Sequence, residues 1–221
     1  MTDPDQEMED FTRKVLRAHR VDAVGWRPPN ALQTQSTCPV CSVTPDSYEL
    51  GVRDRYGFSI RAVSHCQRCG HRWIVDYMGK PDTAAFYASG AYQRLTDAYA
   101  GVETTPERLH SHQLTYAREL ISALAPHVAP GSRLLDVGGA PGTMARELCD
   151  ALVLPDPVVV DPASALDDAS ARQTMLWDSA DLVVISRTID HVVDPSSLLA
   201  DAWNALSRGG VLWIDIADYE S

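Results

Sequence analysis

The strongest constraint on this chain is an apolar run that stops abruptly in glycines. Arg133-Leu134-Leu135-Asp136-Val137 leads into Gly138-Gly139-Ala140-Pro141-Gly142, and Thr143-Met144-Ala145-Arg146-Glu147-Leu148 follows with helical spacing. The short apolar run reads as a buried strand. Its glycines let the backbone turn sharply and approach a ligand without Cβ clashes. The N–H groups of the following helix's first turn face the same space. Strand, glycine turn and helix in this order predict a doubly wound α/β sheet with a nucleotide-type ligand at the turn.

The flanking segments extend that pattern. Thr105-Pro106-Glu107 opens a helix, with threonine at the cap and proline in the first turn. Leu114, Ala117, Leu120, Ile121 and Leu124 give it an apolar stripe that ends near Pro126. After the glycine turn, Val158-Val159-Val160 predicts a second buried strand, closed by Asp161, which stands 25 residues after Asp136. An acid at that strand end can accept both ribose hydroxyls of a nucleoside; the alternative is a plain turn or cap residue. A helix over 167–172 and a brief strand over 174–177 come next, and Asp178 is the candidate partner of an adenine amino group. Asp181 to Ser186 is a clear strand, Arg187 to Asp194 a loop, and Pro195 to Leu206 a helix. Gly209-Gly210 is expected to end that helix, and Val211 to Ile216 forms a further strand.

The first half carries a different signal. Cys38-Pro39-Val40-Cys41 and Cys66-Gln67-Arg68-Cys69 make a C-x2-C-x24-C-x2-C pattern. Alternation around Tyr48–Val52 and Phe58–Val63, with a turn near Arg55–Gly57, places a β-hairpin between the pairs. Two knuckles joined by a hairpin describe a zinc ribbon. Four thiolates close a tetrahedral shell around Zn²⁺ and leave no open position, so this metal is structural. His65 and His71 flank the second pair as substitute ligands or as plain surface histidines. Residues 5–20 read as a helix, residues 72–77 as a strand and residues 84–95 as helical. Tyr87, Tyr92 and Tyr99 form an aromatic cluster that packs internally or covers a ligand.

Composition excludes several classes. The 221 residues carry a net charge of −11, which argues against general affinity for nucleic acid or anionic membranes. No run of 18 apolar residues and no apolar segment near the N-terminus suggests a membrane span or secretory signal. Five cysteines, four at metal-ligand spacing, suit a reducing compartment, so a cytoplasmic location is expected.

With those residues in view, the second half resembles class I S-adenosylmethionine-dependent methyltransferases. Leu134 to Gly142 is similar to the family's first motif, Val158 to Asp161 to its ribose-binding acid, Asp181 to Pro195 to its fourth strand and following loop, and Leu206 to Leu212 to its turn into strand five. The resemblance implies a Rossmann-like, mostly parallel sheet with helices on both faces, preceded here by the small β-rich zinc ribbon. It implies a domain over 131–221 that is expected to be incomplete; the residue patterns before it place a helix with linker over 1–30, the ribbon over 31–80 and a helical connector over 81–130. It implies that S-adenosylmethionine meets Asp136, Gly138, Gly139, Ala140, Gly142, Asp161, Asp178 and Ser186, with Asp136 beneath the turn, ordering it or reaching the methionine amino group. Cys38, Cys41, Cys66 and Cys69 would hold the zinc. His191 is the candidate catalytic base, with packing or capping of its loop as the alternative; Arg187 and Asp190 share that loop. The implied acceptor is a small molecule such as a sugar or natural-product intermediate, recognised with help from the ribbon and the tyrosine-rich helix. An RNA acceptor held by Arg53, Arg55, Arg61, Arg68 and Arg72 is the second possibility, and a non-catalytic cofactor-binding module the third. The family's sheet runs 3-2-1-4-5-7-6, and the resemblance implies that the strands beyond strand five are missing here: the chain is a fragment, a partner covers that edge, or the enzyme is degenerate.

Overall fold

The structure, a computed structural model, describes residues 33–44, 48–50, 62–161 and 179–216. The expected helix over 5–20, the hairpin turn near Arg55, the helix over 167–172, the strand over 174–177 and Asp178 lie outside them. The chain divides into two compact units between Thr104 and Thr105.

In the first unit, β1 (Gln33–Thr34) pairs antiparallel with β5 (Asp76–Tyr77). The strands β2 (Tyr48–Leu50), β3 (Ala62–His65) and β4 (Arg72–Ile74) form an antiparallel sheet in that order. The hairpin expected between the cysteine pairs is therefore present as β2 and β3, and β4 adds a third strand. The single strand expected over residues 72–77 divides at Val75: β4 joins β3, while β5 pairs with β1 in a separate two-stranded sheet. Helices α1 (Lys80–Ala88) and α2 (Ala91–Ala100) follow. Phe86 and Leu95 are buried between them, and Phe86, Tyr87 and Tyr92 pack ring against ring at 5.1–6.2 Å.

The second unit opens with α3 (Pro106–Leu124). The Thr105 hydroxyl accepts from the Arg108 amide at 3.3 Å, and Pro106 occupies the first turn, where a missing N–H costs nothing. Then come β6 (Leu134–Val137), α4 (Thr143–Leu152), β7 (Val158–Val160), β8 (Ala180–Ser186), a 3₁₀ turn (Ile189–His191), α5 (Pro195–Ala205) and β9 (Leu206–Asp215). The four strands are parallel, in the order β7-β6-β8-β9.

Alternation sorts the side chains to two faces of this sheet. Leu134, Leu182 and Val184 pack with Leu120 and Leu124 of α3 and Leu148 of α4. Leu135, Val137, Val183 and Ile185 pack with Leu198 and Ala202 of α5. Helices therefore cover both faces, which explains why β6 and β8 are almost continuously apolar. Asp136 interrupts β6 on the α3–α4 face and is 1% exposed.

One boundary differs from expectation. The helix α5 stops at Ala205, and Gly209-Gly210 lies within β9 rather than at the helix end. The register passes from Ala180↔Leu206 to Leu182↔Val211, so residues 207–210 oppose Asp181 alone. The strand pairs early and then bulges. Asp181 holds the bulge, accepting from the Ser207 hydroxyl at 2.7 Å and from the Arg133 amide at 3.0 Å. Gly209 supplies the positive φ, +83°.

Candidate functional site

The C-terminal ends of β6 and β8 point to the same place. Where two neighbouring parallel strands send their connections to opposite faces, a crevice opens beyond the strand ends. Here it is a cleft of about 200 Å³, lined by Leu109, His112, Gln113 and Tyr116 of α3, Gly138 and Gly139, Met144, and Ser186 and Arg187.

Its floor is built by absent side chains. A Cβ on Gly138 would collide with the Thr188 hydroxyl, and one on Gly139 with the Asp136 carboxylate. Gly138 and Gly142 also sit at φ +82° and +83°, a region that suits glycine. The Gly138 amide donates to the Val160 carbonyl at 2.6 Å and ties the turn to β7. The Gly142 amide donates to the Gly139 carbonyl at 2.6 Å, and Gly142 starts α4. Ala140 is exposed, is absent from the cleft lining, and joins Pro141 through a cis peptide. Its carbonyl accepts from Gln113 Nε2 at 3.3 Å.

The buried polar atoms here lack partners. Both Asp136 oxygens and Gln113 Oε1 are shielded and accept no hydrogen bond. Burial pushes the Asp136 carboxyl up to about 7. Orphaned buried acceptors are rare in folded proteins; here Gln113 lines the cleft, and the Asp136 carboxylate lies against Gly139, which also lines it.

A second polar group closes the rim. The Tyr116 phenol lies near Asp215 and Ser186; burial first, then the neighbouring Asp215 carboxylate, raises its pKa. Asp215 also accepts from Trp213 Nε1 at 3.0 Å. The Arg187 guanidinium lies over the Tyr116 ring at 5.0 Å. None of Gln113, Tyr116 and Asp215 was singled out from the sequence. Leu109, Gln113 and Tyr116 do recur at i, i+4, i+7, a second stripe on α3 beside the apolar one that was read.

Asp161 follows the last residue of β7, half-buried. His191 ends the 3₁₀ turn, with Nε2 3.6 Å from Asp190 Oδ2, and does not line the cleft.

The first unit carries a separate cluster. The Sγ atoms of Cys38, Cys41, Cys66 and Cys69 all lie within 4.8 Å of one another, with Cys38···Cys69 at 3.6 Å and Cys41···Cys66 at 3.4 Å. A tetrahedron of sulfurs about 2.3 Å from zinc has edges of about 3.8 Å, so the cluster is of the right size for a metal ion. The two knuckles have the same build. The Cys38 amide donates to the Val43 carbonyl and the Cys66 amide to the His71 carbonyl; the Ser42 amide donates to the Cys38 carbonyl and the Gly70 amide to the Cys66 carbonyl. Ser42 takes φ +60° where the second knuckle has Gly70 at +76°. His71 stacks on Trp73 at 6.0 Å, and among the described residues the four thiols alone make the cluster.

The model of the methyltransferase domain family matches residues 109–221, a little over half of the chain. The chain belongs to that family and carries an S-adenosylmethionine-dependent methyltransferase domain, preceded by a four-cysteine cluster able to coordinate a metal ion. No curated protein matches the chain. Among the described residues no helix is long and apolar enough to cross a membrane.

Proposed function

We propose that this protein transfers the methyl group of S-adenosylmethionine to a small-molecule acceptor, such as a sugar or natural-product intermediate. The observation that carries the proposal is the cleft between Gly138-Gly139 and Ser186-Arg187 at the ends of two parallel strands, inside the matched family domain. Its donor set suits this ligand. Small residues allow close approach, and the orphaned Asp136 carboxylate calls for a cationic donor such as the methionine ammonium. Gly138, Gly139, Ala140 and Gly142 form the cofactor loop, Ser186 faces the methionine end, and Asp161 takes the ribose hydroxyls. Asp178 is proposed for the adenine amino group.

S-adenosylmethionine supplies an electrophilic methyl on sulfur, and such a displacement needs mainly alignment and exclusion of water. Leu109 and the Tyr116 ring of α3, with Met144 of α4, provide apolar wall of the cleft. His191 was the candidate base; its contact with Asp190 favours the alternative, in which it orders the 3₁₀ turn. The four cysteines hold a structural Zn²⁺, and the ribbon aids acceptor recognition.

Calorimetric titration with S-adenosylmethionine tests the cofactor assignment. Wild type should bind, and Asp161→Ala should bind at least about tenfold more weakly, the loss of a charge-assisted pair of hydrogen bonds. Unchanged affinity in the variant would remove the ribose assignment.

A further inference from the structure

We propose, on the methyltransferase reading above, that the methyl acceptor carries an acidic group, a carboxylate or a phosphate, and that Arg187 is the residue that selects it.

The cleft runs against the charge of the chain. The sequence holds 30 acidic residues against 19 basic, yet the nine residues lining the cleft include one arginine and no carboxylate. The Arg187 guanidinium lies over the Tyr116 ring at 5.0 Å. Burial first, and then the neighbouring Asp215 carboxylate, raise the pKa of that phenol, so it stays protonated and brings no negative charge. Asp215 lies outside the lining, and its Oδ1 accepts from Trp213 Nε1 at 3.0 Å. A cleft lined by charge of one sign concentrates ligands of the other. The sulfonium of S-adenosylmethionine adds a second positive charge, which an anionic acceptor offsets as well.

The backbone sets where this cation stands. Arg187 directly follows β8 and takes φ +47°, a left-handed conformation unusual outside glycine. Its amide donates to the Asp215 carbonyl at 2.9 Å, which ties the end of β8 to β9. The side chain is exposed at the cleft. A guanidinium lying over a ring keeps its edge N–H donors for another partner, and that fork matches an oxyanion with two acceptor atoms. His112, one helical turn before Tyr116 on α3, lines the same cleft and adds an imidazole N–H donor. An acceptor entering beside Ser186, at the methionine end of the cofactor, meets Arg187 next.

Phenylglyoxal labelling of the full chain, saturated with S-adenosylhomocysteine, tests this without knowledge of the acceptor. The readout is the rate of modification at Arg187 by peptide mass spectrometry, with exposed Arg118 of α3, outside the cleft, as internal reference. Inorganic phosphate or acetate should slow labelling of Arg187 severalfold relative to chloride at the same ionic strength, and leave Arg118 unchanged. The more protective anion tells a phosphate-bearing acceptor from a carboxylate. Equal rates in all three salts, or equal slowing of both arginines, would overturn the assignment. So would full protection of Arg187 by S-adenosylhomocysteine alone, because the arginine would then serve the cofactor. Failure of S-adenosylhomocysteine to bind, read by calorimetry before labelling, would instead remove the cofactor site itself.

Discussion

At the scale of single residues, Asp136 carries the sharpest consequences. Burial raises its pKa to about 7, against about 3.9 for an ordinary aspartate. The folded state therefore holds a proton that the unfolded chain releases. Its contribution to stability is fully present below about pH 4 and is lost as pH rises through about 7. Denaturant titrations between pH 5 and pH 8 should show this fall, and Asp136→Asn should flatten it, with a gain over wild type of a few kcal/mol at pH 8. The same variant should bind S-adenosylmethionine more weakly, because a carboxamide does not answer an ammonium charge. Gly139→Ala would place its methyl on the Asp136 carboxylate, a loss of about 1–3 kcal/mol. Asp136→Ala makes room for that methyl, so the double variant should lose less than the sum of the two single losses.

At the scale of elements, much was legible because pattern and physics agree. Leu134 to Val137 reads as a buried strand because a central parallel strand is covered on both faces. Thr105-Pro106 reads as a helix start because the cap and first-turn chemistry are local. Asp136 beneath the glycine turn followed from the motif. What was not legible depends on contacts between distant segments. The β9 bulge is held by Asp181 and Arg133, 26 and 74 residues from Ser207, and nothing local distinguishes it from a helix stop. The Arg187–Tyr116–Asp215 group draws on β8, α3 and β9 and exists only once the sheet is assembled. One element carries avoidable strain. Val153 caps α4 at φ +58° with its side chain 70% exposed, although β-branched residues resist that conformation. Val153→Gly should raise stability by about 1 kcal/mol, read from the denaturant midpoint.

At the scale of the whole molecule, the chain joins two compact units with different sources of stability. The second rests on a parallel sheet with apolar clusters on both faces. In the first, the cysteine cluster has a small core of Cys38, Cys66 and Trp73, too little to close by burial alone. One zinc ion per chain should be released when a mercurial titrates the thiols. Cys66→Ser should abolish that release and unfold the ribbon, while S-adenosylmethionine binding by the second unit persists. A crystal structure with S-adenosylhomocysteine should place its sulfur in the cleft between Gly138 and Ser186, with the ribose at Asp161. An empty cleft, or the ligand bound elsewhere on the chain, would contradict the account.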